Sequence, residues 1–202
     1  MSDDWLSRIK LVLASGSPRR RSILAELGVR FEIDPPALPE PEPAGFPSVE
    51  LFATHAAHRK AVEIADRRKS DDWILAADTV VEVDGTTLGK PADRADAKRI
   101  LQSLVGRRHR TWTGLCLLRR KDRLALLHAE ASWVTFRKIG DDRLEHYLDS
   151  GAWEGKAGAY GIQDRDDPFV ESLEGSFTNV VGLPVEGVRR LLLAAERIDA
   201  VA

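Results

Sequence analysis

The sequence predicts an α/β fold, a mixed twisted sheet with flanking helices, in one domain over residues 1–202. Three observations predict it. Apolar strand-like runs alternate with helical periodicity along the chain. Hairpin signals such as Asp84-Gly85 interrupt that alternation, which adds antiparallel neighbours to parallel ones. The chain of 202 residues shows no internal repeat or low-complexity tract, and its length suffices for one sizeable core.

In chain order, "IKLVLA" reads as a short buried strand. "PRRRSILAELG" follows as a helix, with Ser17 as N-cap, Pro18 at the first helical position, Gly28 at the stop, and Ile23, Leu24 and Leu27 toward the core. Residues 34–48 hold six of the ten prolines and read as an exposed loop. "VELFATHAAHRKAVEIADRRK" has helical periodicity, with Leu51, Ala57, Ala61 and Ile64 among its apolar positions and Lys60 near its middle. In "WILAADTVVEVDGTTLGKP" two apolar strand-like runs flank Asp78, and Asp84-Gly85 turns a hairpin. "ADRADAKRILQSLVG" is an amphipathic helix ending at Gly106. "RTWTGLCLLRR" and "LALLHAEASWVTFRKI" are strands, the second alternating around Ser132, Val134 and Phe136. "DDRLEHYLDSG" is a short helix stopped by Gly151, and the glycine-rich "GKAGAYGIQD" is a loop. "DPFVESLEGSFTNVVGLPVE" reads as a hairpin turning at Glu174-Gly175, before a closing helix in "VEGVRRLLLAAERI".

Composition narrows the function. A net charge of −2 supplies no global positive field for nucleic acid or an anionic membrane, so any basic site is local. The "RRHR" run at residues 107–110 reads as a solvated cap behind a helix C-terminus. The lone Cys116 can form neither an internal disulfide nor a zinc cluster and reads as a buried thiol. The acidic N-terminus lacks signal-peptide order and no apolar run approaches a membrane span, so a soluble, cytoplasmic protein is expected. No GxSxG, HExxH or CxxC pattern occurs.

The stretch "LASGSPRRRSILAELG" carries the first chemical signal. Strand, small-residue turn and helix N-terminus present free backbone N–H groups to an anion. Arg19, Arg20 and Arg21 in the first turn oppose the helix dipole, by about 0.3–1 kcal/mol each. A phosphate would offset that charge, and arginine forks fit phosphate oxygens; solvated arginines are the alternative. Asp78 breaks an apolar run, where a carboxylate needs a partner such as a metal ion or a lysine, unless it bonds a turn at a strand end. Lys90 follows the hairpin and could return to the same end of the sheet, or be solvated. Lys60 is unremarkable on its helix, and His55, His58 and Arg59 form no metal-ligand spacing. Gln163, near Gly161, reads a base edge or caps a loop.

Taken together, "LASGSPRR", "AADTVV", "LGKP", "KAGAYGIQ" and "NVVGLP" stand in the order and spacing of the Maf family of nucleoside triphosphate pyrophosphatases, which the chain resembles from Leu11 to about Leu193. The resemblance implies a mixed α/β structure of two lobes around a central cleft, distantly like the inosine triphosphate pyrophosphatases, and a homodimer. It implies hydrolysis of a nucleoside triphosphate to the monophosphate and pyrophosphate with Mg2+ or Mn2+. Matched by position, Ser15, Arg19, Arg20, Lys60, Thr79, Lys90 and Gln163 become substrate-binding, Asp78 catalytic, and Asp78 with Glu40 metal-binding. "KAGAYGIQ" and Thr79 resemble the subgroup acting on dTTP and UTP; the alternatives are the 7-methyl-GTP subgroup or a nucleotide-binding regulator of septum formation. Two departures stand out. Pro39 replaces the usual acidic neighbour of Glu40, and the family's "GIQG" continues here as "GIQDRDDP".

Overall fold

The computed structural model describes residues 3–39, 41–164 and 168–201. Its centre is one seven-stranded sheet in the order β2-β1-β3-β5-β6-β7, with β4 paired to β3. The strands are β1 (Leu11–Leu13), β2 (Glu32–Ile33), β3 (Trp73–Val83), β4 (Thr86–Leu88), β5 (Arg108–Arg119), β6 (Leu124–Phe136) and β7 (Val170–Glu174). The pairs of β1 with β2 and β3 are parallel; β3–β4, β3–β5, β5–β6 and β6–β7 are antiparallel, so the sheet is mixed as expected. Around it lie α1 (Asp3–Arg8), α2 (Pro18–Glu26), α3 (Val49–Arg68), α4 (Arg94–Leu104), α5 (Asp141–Asp149), α6 (Phe177–Val181) and α7 (Val185–Asp199).

Local chemistry explains most boundaries. The Ser17 hydroxyl accepts from the Arg20 backbone N–H to start α2, and Ser48 and Asp93 cap α3 and α4 in the same way. Asp84 and Gly85 both adopt positive φ, 47° and 75°, as a tight primed turn between β3 and β4 requires.

One sheet serves two hydrophobic cores. Trp73, Leu75 and Ala77 of β3 pack with α1, α2 and α7, whereas Val81 and Val83 of the same strand pack with α4, α5 and the segment around Tyr160. The implied lobes are thus the two ends of shared long strands. On the opposite face α3 lies close because its inward residues are small: Ala53, Ala57, Ala61 and Ala65 are buried. Closest approach falls at Gly114 of β5, where a Cβ would sit 2.3 Å from the Ala53 backbone. Cys116 is fully buried, and burial pushes its thiol up to about 12.

Four expectations need correction. Asp78 does not separate two strands; β3 runs unbroken through it because Lys60 matches its charge. Residues 108–110 belong to β5 and do not form a solvated cap: His109 is buried, while Arg108 and Arg110 lie over the Trp133 ring at 4.3 Å each. The chain after Gly175 does not return as a strand but forms α6, whose start is set when the Ser176 hydroxyl accepts from the Asn179 N–H. Leu51 is 51% exposed, because Phe52 and Ala53 face the sheet instead. The short helix α1 is an addition to the sequence reading; it is anchored where the Trp5 indole donates to Asp199 at 2.9 Å.

Candidate active site

Where β1 ends and β3 continues, a cleft of about 620 Å³ opens between the two cores. That is the size range of a small-molecule site, at a point where parallel pairing gives way to antiparallel. Ser15, Arg19, Arg20, Lys60, Asp78, Thr79, Lys90 and Gln163 all line it, so the fold gathers residues drawn from positions 15 to 163. Glu40 lies outside the described residues.

The floor is built by strand alternation. Asp78 points toward α3, where its carboxylate accepts from the Lys60 ammonium; the two side chains are only 8% and 12% exposed. Thr79 points the other way. Its hydroxyl accepts from Arg20 Nη2 at 3.1 Å and lies 2.9 Å from the Thr113 hydroxyl, which donates to the Asn179 carbonyl at 3.0 Å. Since the Thr113 hydrogen is committed there, Thr79 donates to Thr113.

The arginines at the start of α2 are answered partly within the protein. Arg20 donates from Nε to the Gly182 carbonyl at 2.8 Å and from Nη1 to the Ala77 carbonyl at 2.8 Å and the Ser15 hydroxyl at 3.4 Å. Its fork therefore ties α2 to β3 and to the end of α6, beside Thr79. Arg19 reaches across the cleft to the Gly155 carbonyl at 3.1 Å. Burial pulls the Arg19 guanidinium below its ordinary value, against the attraction of Asp164 and Tyr147. The Ser15 hydroxyl, buried, accepts from the Ser17 N–H at 3.2 Å and shapes the Ser-Gly-Ser turn.

The opposite wall comes from the glycine-rich loop. A 3-10 turn over Ala157–Ala159 brings the loop against β3, with the Gly158 N–H donating to the Gly89 carbonyl at 3.0 Å. Gly158 has φ +70°, and a Cβ there would lie 2.7 Å from Val81, so this approach requires glycine. Sequence reasoning did not single out Lys156, Tyr160, Thr111 or the prolines 35 and 36, which also line the cleft. Lys156 and Tyr160 lay within the quoted "KAGAYGIQ"; Thr111 carried no signal beyond strand alternation. Tyr160 is held by the buried His109, whose Nε2 is 3.0 Å from its hydroxyl, and by the Thr111 hydroxyl at 3.3 Å.

No group of three His, Cys, Asp or Glu side chains converges among the described residues. The cleft lining holds one buried carboxylate, Asp78, and the buried Ser15 hydroxyl. That set suits a hard cation carried on phosphate oxygens, since Mg2+ commonly takes one or two carboxylates plus substrate phosphates.

Comparison with known proteins follows this geometry. A family model described as Maf-like protein matches residues 10–195. A dTTP/UTP pyrophosphatase of Thermomicrobium roseum is 43% identical over 185 residues, covering 92% of this chain and 84% of that protein. A dTTP/UTP pyrophosphatase of Anaeromyxobacter dehalogenans is 42% identical over 188 residues, covering 92% and 94%. Among solved structures, a nucleoside-triphosphatase / dITP/XTP pyrophosphatase from Mycobacterium abscessus aligns with a TM-score of 0.44 at 15% identity, covering 96% of this chain and 98% of that one. With the match running from β1 to α7, the chain belongs to the Maf-like protein family.

Proposed function

We propose that the protein is a nucleoside triphosphate pyrophosphatase that hydrolyses dTTP and UTP to the monophosphate and pyrophosphate. The observation that carries this reading is the buried Asp78–Lys60 pair on the floor of a cleft rimmed by the Ser15–Arg20 turn and Lys90. Relatives named dTTP/UTP pyrophosphatase at about two-fifths identity over most of the chain support the choice of nucleotide. So do "KAGAYGIQ" and Thr79.

In this reading the triphosphate lies along the N-terminus of α2. The Gly16 backbone N–H, the N-terminus of α2 and the Arg19 and Lys90 side chains bind phosphate oxygens, while Arg20 braces the Ser15 and Thr79 hydroxyls. Lys60 balances the charge of Asp78, which orients the attacking water or takes its proton as the bond between the α- and β-phosphates breaks. Gln163 faces the base. Asp78, with Glu40 as second candidate, would hold Mg2+ or Mn2+, which supplies charge neutralisation on the phosphates and polarisation of water or phosphoryl oxygen when bound. The protein acts as a homodimer, which light scattering would test.

The test is a panel of nucleoside triphosphates assayed for pyrophosphate release, with and without Mn2+. dTTP and UTP should be turned over far faster than 7-methyl-GTP. Asp78→Asn should lower kcat by about two to four orders of magnitude, the scale of lost general-base catalysis. The reverse substrate order refutes the base assignment, and parent-like turnover in Asp78→Asn refutes the role of that carboxylate.

A further inference from the structure

The sequence departs from the family's "GIQG" by placing Asp164 directly after Gln163, and the structure shows what that carboxylate does. One oxygen accepts from the Lys156 ammonium, in a pair whose side chains are 11% and 25% exposed. The other accepts from Gln163 Nε2 at 3.3 Å. Asp164 is folded back by its own N–H, which donates to the Gly161 carbonyl at 3.0 Å. The pair lies against Gly161, where a Cβ would stand 2.7 Å from both Lys156 Nζ and the Asp164 carboxylate and displace those side-chain ends. Gln163 and Lys156 line the cleft.

An ionised carboxylate only accepts hydrogen bonds, so it selects the nitrogen end of the Gln163 amide and leaves Oε1 as the end for a ligand. It also matches the Lys156 charge at a wall where an unpaired ammonium would attract phosphate indiscriminately. We propose that Asp164 is a positioning residue for base selection, holding Gln163 and Lys156 so that the cleft offers a hydrogen-bond acceptor beside a charge-matched donor. That pattern complements an imide edge, an N–H flanked by carbonyls as in uracil and thymine. It opposes the cytosine edge, whose ring nitrogen at the same place is itself an acceptor. This inference rests on the reading of the cleft as a pyrimidine nucleoside triphosphate site.

The test compares UTP with CTP in the parent protein, Asp164→Asn and Asp164→Glu, by kcat and KM and by calorimetric Kd of non-hydrolysable analogues, alongside the melting temperature. The parent should prefer the uridine nucleotide. Asp164→Asn can present either a donor or an acceptor to the Gln163 amide, so the preference should fall by about tenfold or more, through KM and Kd with kcat for UTP changed only a few-fold. Asp164→Glu should retain most of the preference. A parent without preference overturns the inference but not the pyrophosphatase reading. An unchanged preference in Asp164→Asn, or an equal loss for both nucleotides alongside a lowered melting temperature, makes the pair structural only. A parent that hydrolyses neither nucleotide refutes the pyrophosphatase reading, and the Kd ratios then still decide the role of Asp164.

Discussion

Gly114→Ala is the sharpest test of how the fold positions the chemistry. Gly114 pairs with Asp78 across β5 and β3, and α3 crosses directly above it. The added methyl would lie 2.3 Å from the Ala53 carbonyl carbon and oxygen and 2.4 Å from the Thr54 nitrogen, all backbone atoms without rotamers to yield. Carbon contacts are comfortable only beyond about 3.5 Å, so α3 must withdraw by roughly 1 Å. Overpacking a core costs about 1–3 kcal/mol, and a backbone clash belongs at the upper end. At about 2–4 °C per kcal/mol for a chain of this size, the melting temperature should fall by about 6–12 °C. The same shift carries Lys60 away from Asp78, and a misplacement of about 1 Å in a catalytic constellation costs on the order of 100-fold. Differential scanning calorimetry and pyrophosphate-release kinetics on Gly114→Ala measure both. Gly140→Ala is the control, since a Cβ there meets nothing within 4 Å. A parent-like melting temperature would refute the close seating of α3. Parent-like kcat/KM in a destabilised variant would show that the register of Lys60 on Asp78 does not set turnover.

Three further outcomes follow from the same contacts. Arg20→Ala removes donors to Ala77, Gly182, Thr79 and Ser15, so it should lower stability by about 2 kcal/mol as well as weakening nucleotide binding, and Arg20→Lys should rescue only in part; thermal melts with and without nucleotide separate the two effects. Asp199 accepts from the indoles of Trp5 and Trp73 and from Arg119; burial alone would raise its pKa, but these donors outweigh it and hold the carboxyl below its ordinary range. Asp199→Asn, remote from the cleft, should therefore destabilise the fold by about 1–3 kcal/mol and leave kcat at 25 °C unchanged, as read by calorimetry and initial rates. Burial, opposed by the Arg107 backbone, lowers the pKa of His109 to about 4 from 6.5, so its neutral form is the folded one. The stability this confers is complete above about pH 6.5 and is lost as pH falls toward 4, by up to about 1.4 kcal/mol per pH unit; denaturant titrations of His109→Gln should show a flatter acid limb than the parent.

Much of this architecture was legible locally. Ser17-Pro18, Asp84-Gly85 and the spacing of Ala57, Ala61 and Ile64 each encode their element through caps, turn dihedrals and periodicity, which act within a few residues. The fate of residues 176–181 was not legible in this way. Phe177, Thr178, Val180 and Val181 are β-branched or aromatic and favour a strand, whereas the Ser176 cap and the buried Asn179, which donates to the Thr111 carbonyl at 3.0 Å, make the segment helical. Likewise Arg108, His109 and Arg110 joined β5 because Trp133 and Tyr160, distant in sequence, receive their side chains, and only Arg107 stays at the end of α4, donating to the Ser103 carbonyl.

By itself the sequence determined the strand–turn–helix at Ser15–Arg20, the carboxylate interrupting the run at Asp78, and the five motifs that mark the family. Tertiary structure alone decided their partners. Lys60 meets Asp78 only because Gly114 and a row of alanines let α3 settle on the sheet. Arg20 turns its fork to carbonyls 57 and 162 residues away. Lys156 and Gln163 acquire their orientation from Asp164. Residue type and spacing carry local backbone preference and chemical capacity, whereas charge pairing and hydrogen-bond direction depend on which surfaces meet, and that is settled only when the whole core packs.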